Sequence, residues 1–245
     1  MPSLTDTTPV PMDKVAILKA DLAQIARDHA PVVLANSLGV EDMMLTDVIV
    51  RERLEIGQFL LDTGRLPAET YALLDRLEDR YGIRPNLYFP RHELIESYVS
   101  EHGINGFYRS VDLRKRCCAV RKVEPLARAL AGKRAWITGL RREQAASRTG
   151  LAAREDDHEH GLVKFNPLVD WTEAEVWAYI RAHDVPYNTL HDHFYPSIGC
   201  APCTRAITPG EDIRAGRWWW EEPGGKECGL HTDRGTALPI VPKLG

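Results

Sequence analysis

The first hundred residues repeat one pattern three times: a short apolar run, a turn of small or polar residues, then apolar positions at helical spacing. "PVVLANSLG" (31–39) leads into "EDMMLTDVIVRE" (41–52), and "IGQFLLDTG" (56–64) into "PAETYALLDRLEDRYG" (67–82). "IRPNLYF" (83–89) likewise leads into "HELIESYVSEHG" (92–103). Short apolar runs that end in turn residues read as buried strands. Pro near the start and Gly at the end mark 67–82 as a helix. A further strand is expected in "RAWITGLR" (134–141), and a helix in "TEAEVWAYIRAH" (172–183), where Thr172 and Glu175 form a capping box. Such alternation predicts an α/β fold: a mostly parallel sheet with helices on both faces.

Ligands of such sheets bind beyond the carboxyl ends of the strands. Three segments fall there, "NSLGVED", "LDTGR" and "GLRREQ". In the first, Ser37 and Gly39 sit in a strand-to-helix turn where backbone N–H groups and a hydroxyl can cradle phosphate. It lacks the Gly-Lys-Ser/Thr ending of a Walker A loop. In the second, Asp62 and Thr63 can hydrogen-bond a base or ribose, and Gly64 allows close backbone approach. In the third, Arg141, Arg142 and Arg148 suit bidentate contacts to phosphate or sulfate, with at least one expected in solvent or an ion pair.

A net charge of −4 over 245 residues argues against a nucleic-acid surface, and no stretch has the apolar length of a membrane span. "MPSLTDTTPVPMDK" has neither the basic start nor the apolar run of a signal peptide, so a cytoplasmic, reducing compartment is expected. Residues 1–13 read as a disordered lead-in, 14–203 as the body, 204–232 as a flexible C-terminal arm and 233–245 as a tail.

A chain of this length needs no disulfide framework, and its five cysteines are an odd count for one. Four come as two pairs, Cys117-Cys118 and Cys200-x-x-Cys203, a full ligand set for zinc or an iron–sulfur cluster. Zinc ligands are usually two or more residues apart, so the adjacent pair favours the larger cofactor. Arg116, Arg121 and Lys122 flank it and can offset thiolate charge. Cys228 is left over. Lys226, His231, Arg214 and Arg217 lie near it in sequence and can favour its thiolate. Trp218, Trp219 and Trp220 are expected to pack.

Together "SLGVED", "LDTGRLPAETY", "CCAVRKVEPL", "GLRREQ", "KFNPL", "PYNTLHDHFYPSIGCAPCTR", "GRWWWEE" and "KECGLH" resemble the assimilatory adenylyl-sulfate reductases, the iron–sulfur branch of the phosphoadenylyl-sulfate reductase family. The resemblance spans about residues 31–231 and implies an adenine nucleotide α hydrolase-like fold. It implies a [4Fe-4S] cluster on Cys117, Cys118, Cys200 and Cys203, and Cys228 as nucleophile. Lys122 would lie between cluster and substrate, and Arg214 and Arg217 would bind the phosphosulfate. Ser37, Gly39 and Asp42 fall on the phosphate-facing loop; Leu61, Asp62, Thr63, Gly64 and Arg65 fall on the nucleotide-contacting loop. The implied reaction reduces adenylyl sulfate to sulfite and AMP through an S-sulfocysteine, with thioredoxin as reductant; a homo-oligomer is expected. Alternatives are the same chemistry on 3′-phosphoadenylyl sulfate, a tRNA-thiolating ATP pyrophosphatase, and a non-catalytic zinc module. "SLGVED" is not the S-G-G-x-D-S loop of the pyrophosphatases.

Overall fold

The computed structural model describes residues 8–145 and 148–222. Six strands form one sheet in the order β3-β2-β1-β4-β6-β5. They are β1 (Val32–Ala35), β2 (Ile56–Leu61), β3 (Asn86–Tyr88), β4 (Ala135–Ile137), β5 (Arg154–Asp157) and β6 (Leu162–Phe165). β1 to β4 and β6 are parallel, with Val32 opposite both Ile56 and Ala135, and only β5 runs antiparallel, against β6. The order reverses between β1, which pairs with β2, and β4, which pairs outward with β6. Such a reversal opens a crevice at the strand ends.

Among the described residues seven α-helices accompany the sheet: α1 (Met12–Asp28), α2 (Val40–Arg51), α3 (Ala68–Tyr81), α4 (His92–His102), α5 (Val111–Cys118), α6 (Glu124–Leu130) and α7 (Glu173–Ala182). Successive strand residues point to opposite faces. Val32 and Leu34 therefore join one core with Leu22 of α1, Met44 of α2 and Val176 of α7. Val33, Phe59 and Trp136 join the other, against Leu126 and Leu130 of α6. Each fully buried Leu or Met stabilises the fold by about 1.5–3 kcal/mol. The expected parallel sheet between helix layers is present.

Local signals end the helices where anticipated. Pro67 precedes α3, and Gly82 closes it at φ 68°, its N–H donating to Glu78 O at 2.7 Å. Thr172 Oγ1 accepts from Glu175 N, and Glu175 returns a bond to Thr172 N while pairing with Lys14 at 2.7 Å. Among the described residues no helix is long and apolar enough to cross a membrane.

Three features depart from the sequence reading. α1 begins at Met12, so the last two residues of the expected lead-in are helical; Val15, Leu18, Leu22 and Ile25 make its buried stripe. "REDD" forms β5 without an apolar pattern, because an edge strand needs only one partner. Asp157 accepts from Trp136 Nε1 at 3.0 Å, and Glu155 pairs with Lys164 at 2.9 Å. Finally, the arm expected from residue 204 is packed through 204–221. Arg205 N donates to Gly216 O, Trp218 N donates to Cys203 O, and Trp218 is buried.

Candidate active site

At the end of β1, Asn36 builds the turn. Its side chain donates to Thr46 and Gln58 and accepts from Leu38 N, holding Leu38 at φ 61°. Asp42, in the first turn of α2, accepts from Ser37 N (2.7 Å), Ser37 Oγ (2.6 Å) and Gly139 N (3.1 Å). It thereby stitches the β1 turn to the β4 turn. Burial raises its pKa to about 6, against the lowering effect of those hydrogen bonds. The first N–H groups of α2 have no acceptor within the helix and lie where the cavity is lined by Gly39, Val40, Glu41 and Asp42.

At the end of β2, Asp62 is occupied by Gly64 N (2.8 Å) and Tyr71 Oη (2.9 Å), and so shapes the turn. Thr63 faces two ways. It shares a hydrogen bond with Cys200 Sγ at 3.2 Å, and its carbonyl accepts from Arg121 Nη1 at 2.6 Å. Leu61 and Thr63 line the larger cavity, whereas Arg65 turns to the cysteine side, over Phe107 and bonded to Asn105.

That larger cavity, about 260 Å³, opens at the carboxyl ends of β1, β2 and β4. Phe59, Leu126 and Trp136 give it an apolar wall; Lys122, Arg214 and Arg217 bring cationic side chains. Arg217 Nη1 donates to Ser197 Oγ (3.2 Å) and Ile198 O (3.3 Å), and its guanidinium lies 4.8 Å from the Trp218 ring centre. An apolar slot with convergent cations suits a planar base carrying an anionic tail.

A second, smaller cavity is lined by Cys117, Cys118, Cys200 and Cys203 together with Arg65, Arg114, Arg121 and Lys122. Ser110 caps α5, its Oγ accepting from Leu113 N, and a π-helical turn, Ala119–Val123, follows the cysteine pair. Such turns shift helical phase and recur at functional sites; here one brings Arg121 and Lys122 to the wall that the cysteines occupy. Opposite, Cys203 N donates to Cys200 O in a tight turn around Pro202. Burial, opposed by Arg121, raises the Cys117 thiol; burial and the nearby Cys200 push Cys203 up to about 12. Arg65 Nη1 and Arg121 Nε are buried donors without an acceptor among the described residues. Four thiols and two buried cationic donors thus line one small cavity. That donor set fits a multi-atom, metal-containing anion.

Lys122 lines both cavities. The remaining sequence candidates divide. Arg141 lines the larger cavity, but its charge is met by Glu41 and Glu143, each at 2.8 Å. Arg142 pairs with Asp170 and donates to Leu151 O, and does not line the cavity. Arg116 is exposed and does not line the cysteine cavity. Lys226, Cys228 and His231 lie outside the described residues. Sequence reasoning passed over His191, which is buried, lines the larger cavity and has no partner for Nε2 among the described residues. It also passed over Arg114, hidden within a basic run.

The phosphoadenosine phosphosulfate reductase domain model matches residues 31–206. An adenosine 5′-phosphosulfate reductase of Allochromatium vinosum is 58% identical over 230 residues, covering 94% of this chain and 89% of that protein. One from Burkholderia cepacia is 54% identical over 241 residues, covering 98% and 96%. Among solved structures, the phosphate complex of Candida auris phosphoadenylyl-sulfate reductase superposes with TM-score 0.67 at 27% identity, covering 80% of this chain and 94% of that one. Yeast FAD synthetase shares the fold, with TM-score 0.57 at 12% identity, covering 79% and 66%. A parallel sheet with its crevice at the β1/β4 reversal, a cation-lined cavity at the strand ends and a four-cysteine cavity beside it accompany these similarities; the chain belongs to the phosphoadenosine phosphosulfate reductase family of oxidoreductases.

Proposed function

We propose that this protein reduces adenylyl sulfate to sulfite and AMP in sulfate assimilation. The observation that carries the reading is the shared wall: Lys122 lines both the nucleotide-side cavity and the four-cysteine cavity. The names of the Allochromatium and Burkholderia relatives support the 5′-phosphosulfate, not its 3′-phosphorylated form, as substrate.

The adenine and ribose would occupy the slot between Phe59, Leu126 and Trp136, with the phosphosulfate directed toward α2, Lys122, Arg214 and Arg217. Cys228 supplies the nucleophile. Its thiolate attacks the sulfonate sulfur; a sulfur–sulfur bond forms, and the bond from sulfur to the phosphate oxygen breaks. AMP departs with that electron pair. Two anions meet in this step, so cations must screen both, and Lys122 and Arg217 also stabilise charge growing on the leaving phosphate. A dithiol of the thioredoxin class then attacks the Cys228 sulfur. Sulfite leaves with the pair of the sulfur–sulfur bond, and the second thiol restores the Cys228 thiolate, leaving the reductant as its disulfide. The two electrons come from the dithiol.

Cys117, Cys118, Cys200 and Cys203 would hold a [4Fe-4S] cluster, with Arg65 Nη1 and Arg121 Nε as donors toward it. When bound, the cluster supplies a fixed charge that organises the adjacent anion site. Thr63, touching Cys200 and lining the nucleotide cavity, is the direct link between them.

Incubation of anaerobic protein with adenylyl sulfate, without reductant, is expected to add an SO₃ mass to the peptide containing Cys228. Cys228→Ser should bind substrate and release no sulfite. The mass on another residue, or normal turnover by the variant, would overturn the assignment.

A further inference from the structure

Arg114, Trp218 and Glu221 take no part in the proposed chemistry, yet they meet in the least exposed ion pair among those of the described residues. Arg114 stands on α5 three residues before Cys117, and the two side chains are only 1% and 5% exposed. Its Nε and Nη2 donate to Glu221 Oε1 and Oε2, both at 2.8 Å. The geometry is bidentate, the strongest form of this contact. Burying two charges is a poor route to stability, because desolvation offsets the attraction, but it fixes geometry well.

What it fixes is the tryptophan beside Arg114. Trp218 is buried at φ 43°, a left-handed conformation that a non-glycine residue holds only when its surroundings impose it. Its N–H donates to Cys203 O, and its carbonyl accepts from Glu221 N. The Arg114 guanidinium lies 4.6 Å from the Trp218 ring centre, and that of Arg217 lies 4.8 Å from the same ring. Two cations beside one indole repel each other unless one is neutralised. Glu221 neutralises Arg114, which lowers that repulsion and lets Arg217 hold its place in the wall of the nucleotide cavity.

We propose that Arg114, Trp218 and Glu221 are positioning residues for Arg217, a buried clasp that sets the anion end of the nucleotide cavity and ties it to the helix bearing Cys117 and Cys118. The inference rests on the reading of that cavity as an adenine-nucleotide site. It makes anion affinity depend on an ion pair remote from the anion.

The test compares AMP with adenosine, which lacks the anion, by titration calorimetry on the anaerobic full-length protein, with iron content measured in parallel. Glu221→Gln is expected to weaken AMP about tenfold or more while changing adenosine by less than about twofold. Combining it with Arg217→Ala should add little to the loss from either alone, the signature of residues acting through one another. Equal losses for AMP and adenosine, or additive effects in the double variant, would overturn the clasp. Should Glu221→Gln fail to fold, Arg114→Met with Glu221→Leu removes both charges and leaves none unpaired. The same selective loss of AMP is expected there, and unchanged AMP affinity would refute the proposal. A wild-type protein that binds AMP no better than adenosine would refute the cavity reading instead.

Discussion

Gly199 gives the sharpest local test of the cation-lined cavity. A methyl group built there meets the Arg217 guanidinium, with Cζ only 2.7 Å away and Nη2 nearer still. Such approaches do not occur between real atoms, so in Gly199→Ala the side chain of Arg217 must move. The backbone at 199 is not left-handed, so the whole effect is steric. Moving the guanidinium breaks its bonds to Ser197 Oγ and Ile198 O and lifts it from the Trp218 ring. Overpacking that a side-chain terminus can relieve falls at the low end of the usual range, about 1 kcal/mol of stability. Losing one charged hydrogen bond to the phosphosulfate costs about 1.5–3 kcal/mol, or about 10- to 150-fold in affinity. Urea unfolding and calorimetric titration with AMP separate the two effects. Gly199→Ala is therefore expected to remain folded and load iron as wild type, yet bind AMP at least tenfold more weakly. Wild-type affinity for AMP would show that Arg217 does not face the anion, and the orientation of substrate argued above would be wrong.

Three further outcomes are expected. The pKa of Asp42 rises from 3.8 to about 6 on folding, so the native state favours its protonated form; that stability is present below pH 4 and lost as pH rises through 6. Asp42→Asn should remove up to about 3 kcal/mol of this pH dependence, read as the difference between the two urea midpoints across pH 4–7; a pH-independent difference would contradict it. Cys203→Ser should lower iron and acid-labile sulfide in anaerobic protein, and zinc without iron in the wild type would refute the cluster. Thr172→Ala removes an N-cap and half of a capping box, so thermal unfolding should show a loss of about 1 kcal/mol with AMP affinity unchanged.

Hydrophobic period and turn residues act within a few positions of each other, so they are legible before any folding is considered. That is why the αβ alternation, the α3 boundaries at Pro67 and Gly82 and the Thr172 cap all appeared in the sequence and recur in the structure. β5 escaped because its charged residues are stabilised by Trp136 and Lys164, which come from other strands. α1 carries an apolar stripe, Val15, Leu18, Leu22 and Ile25, but no side-chain cap marks its start after Pro11.

At the site, residue types alone singled out the cysteine pairs, the small-residue turns and the basic runs, because thiolate and phosphate chemistry admit few side chains. Which arginine does what was settled only by folding. Arg141 and Arg142 are adjacent in sequence, yet one meets Glu41 at the cavity wall and the other turns to Asp170. Arg114 finds its partner 107 residues away. A long cationic side chain reaches in many directions, and its partner is whichever carboxylate or ring the packed elements bring within reach. Local order was thus written in the chain, while the pairing of charges, and with it the joining of two cavities at Lys122, belongs to the tertiary fold.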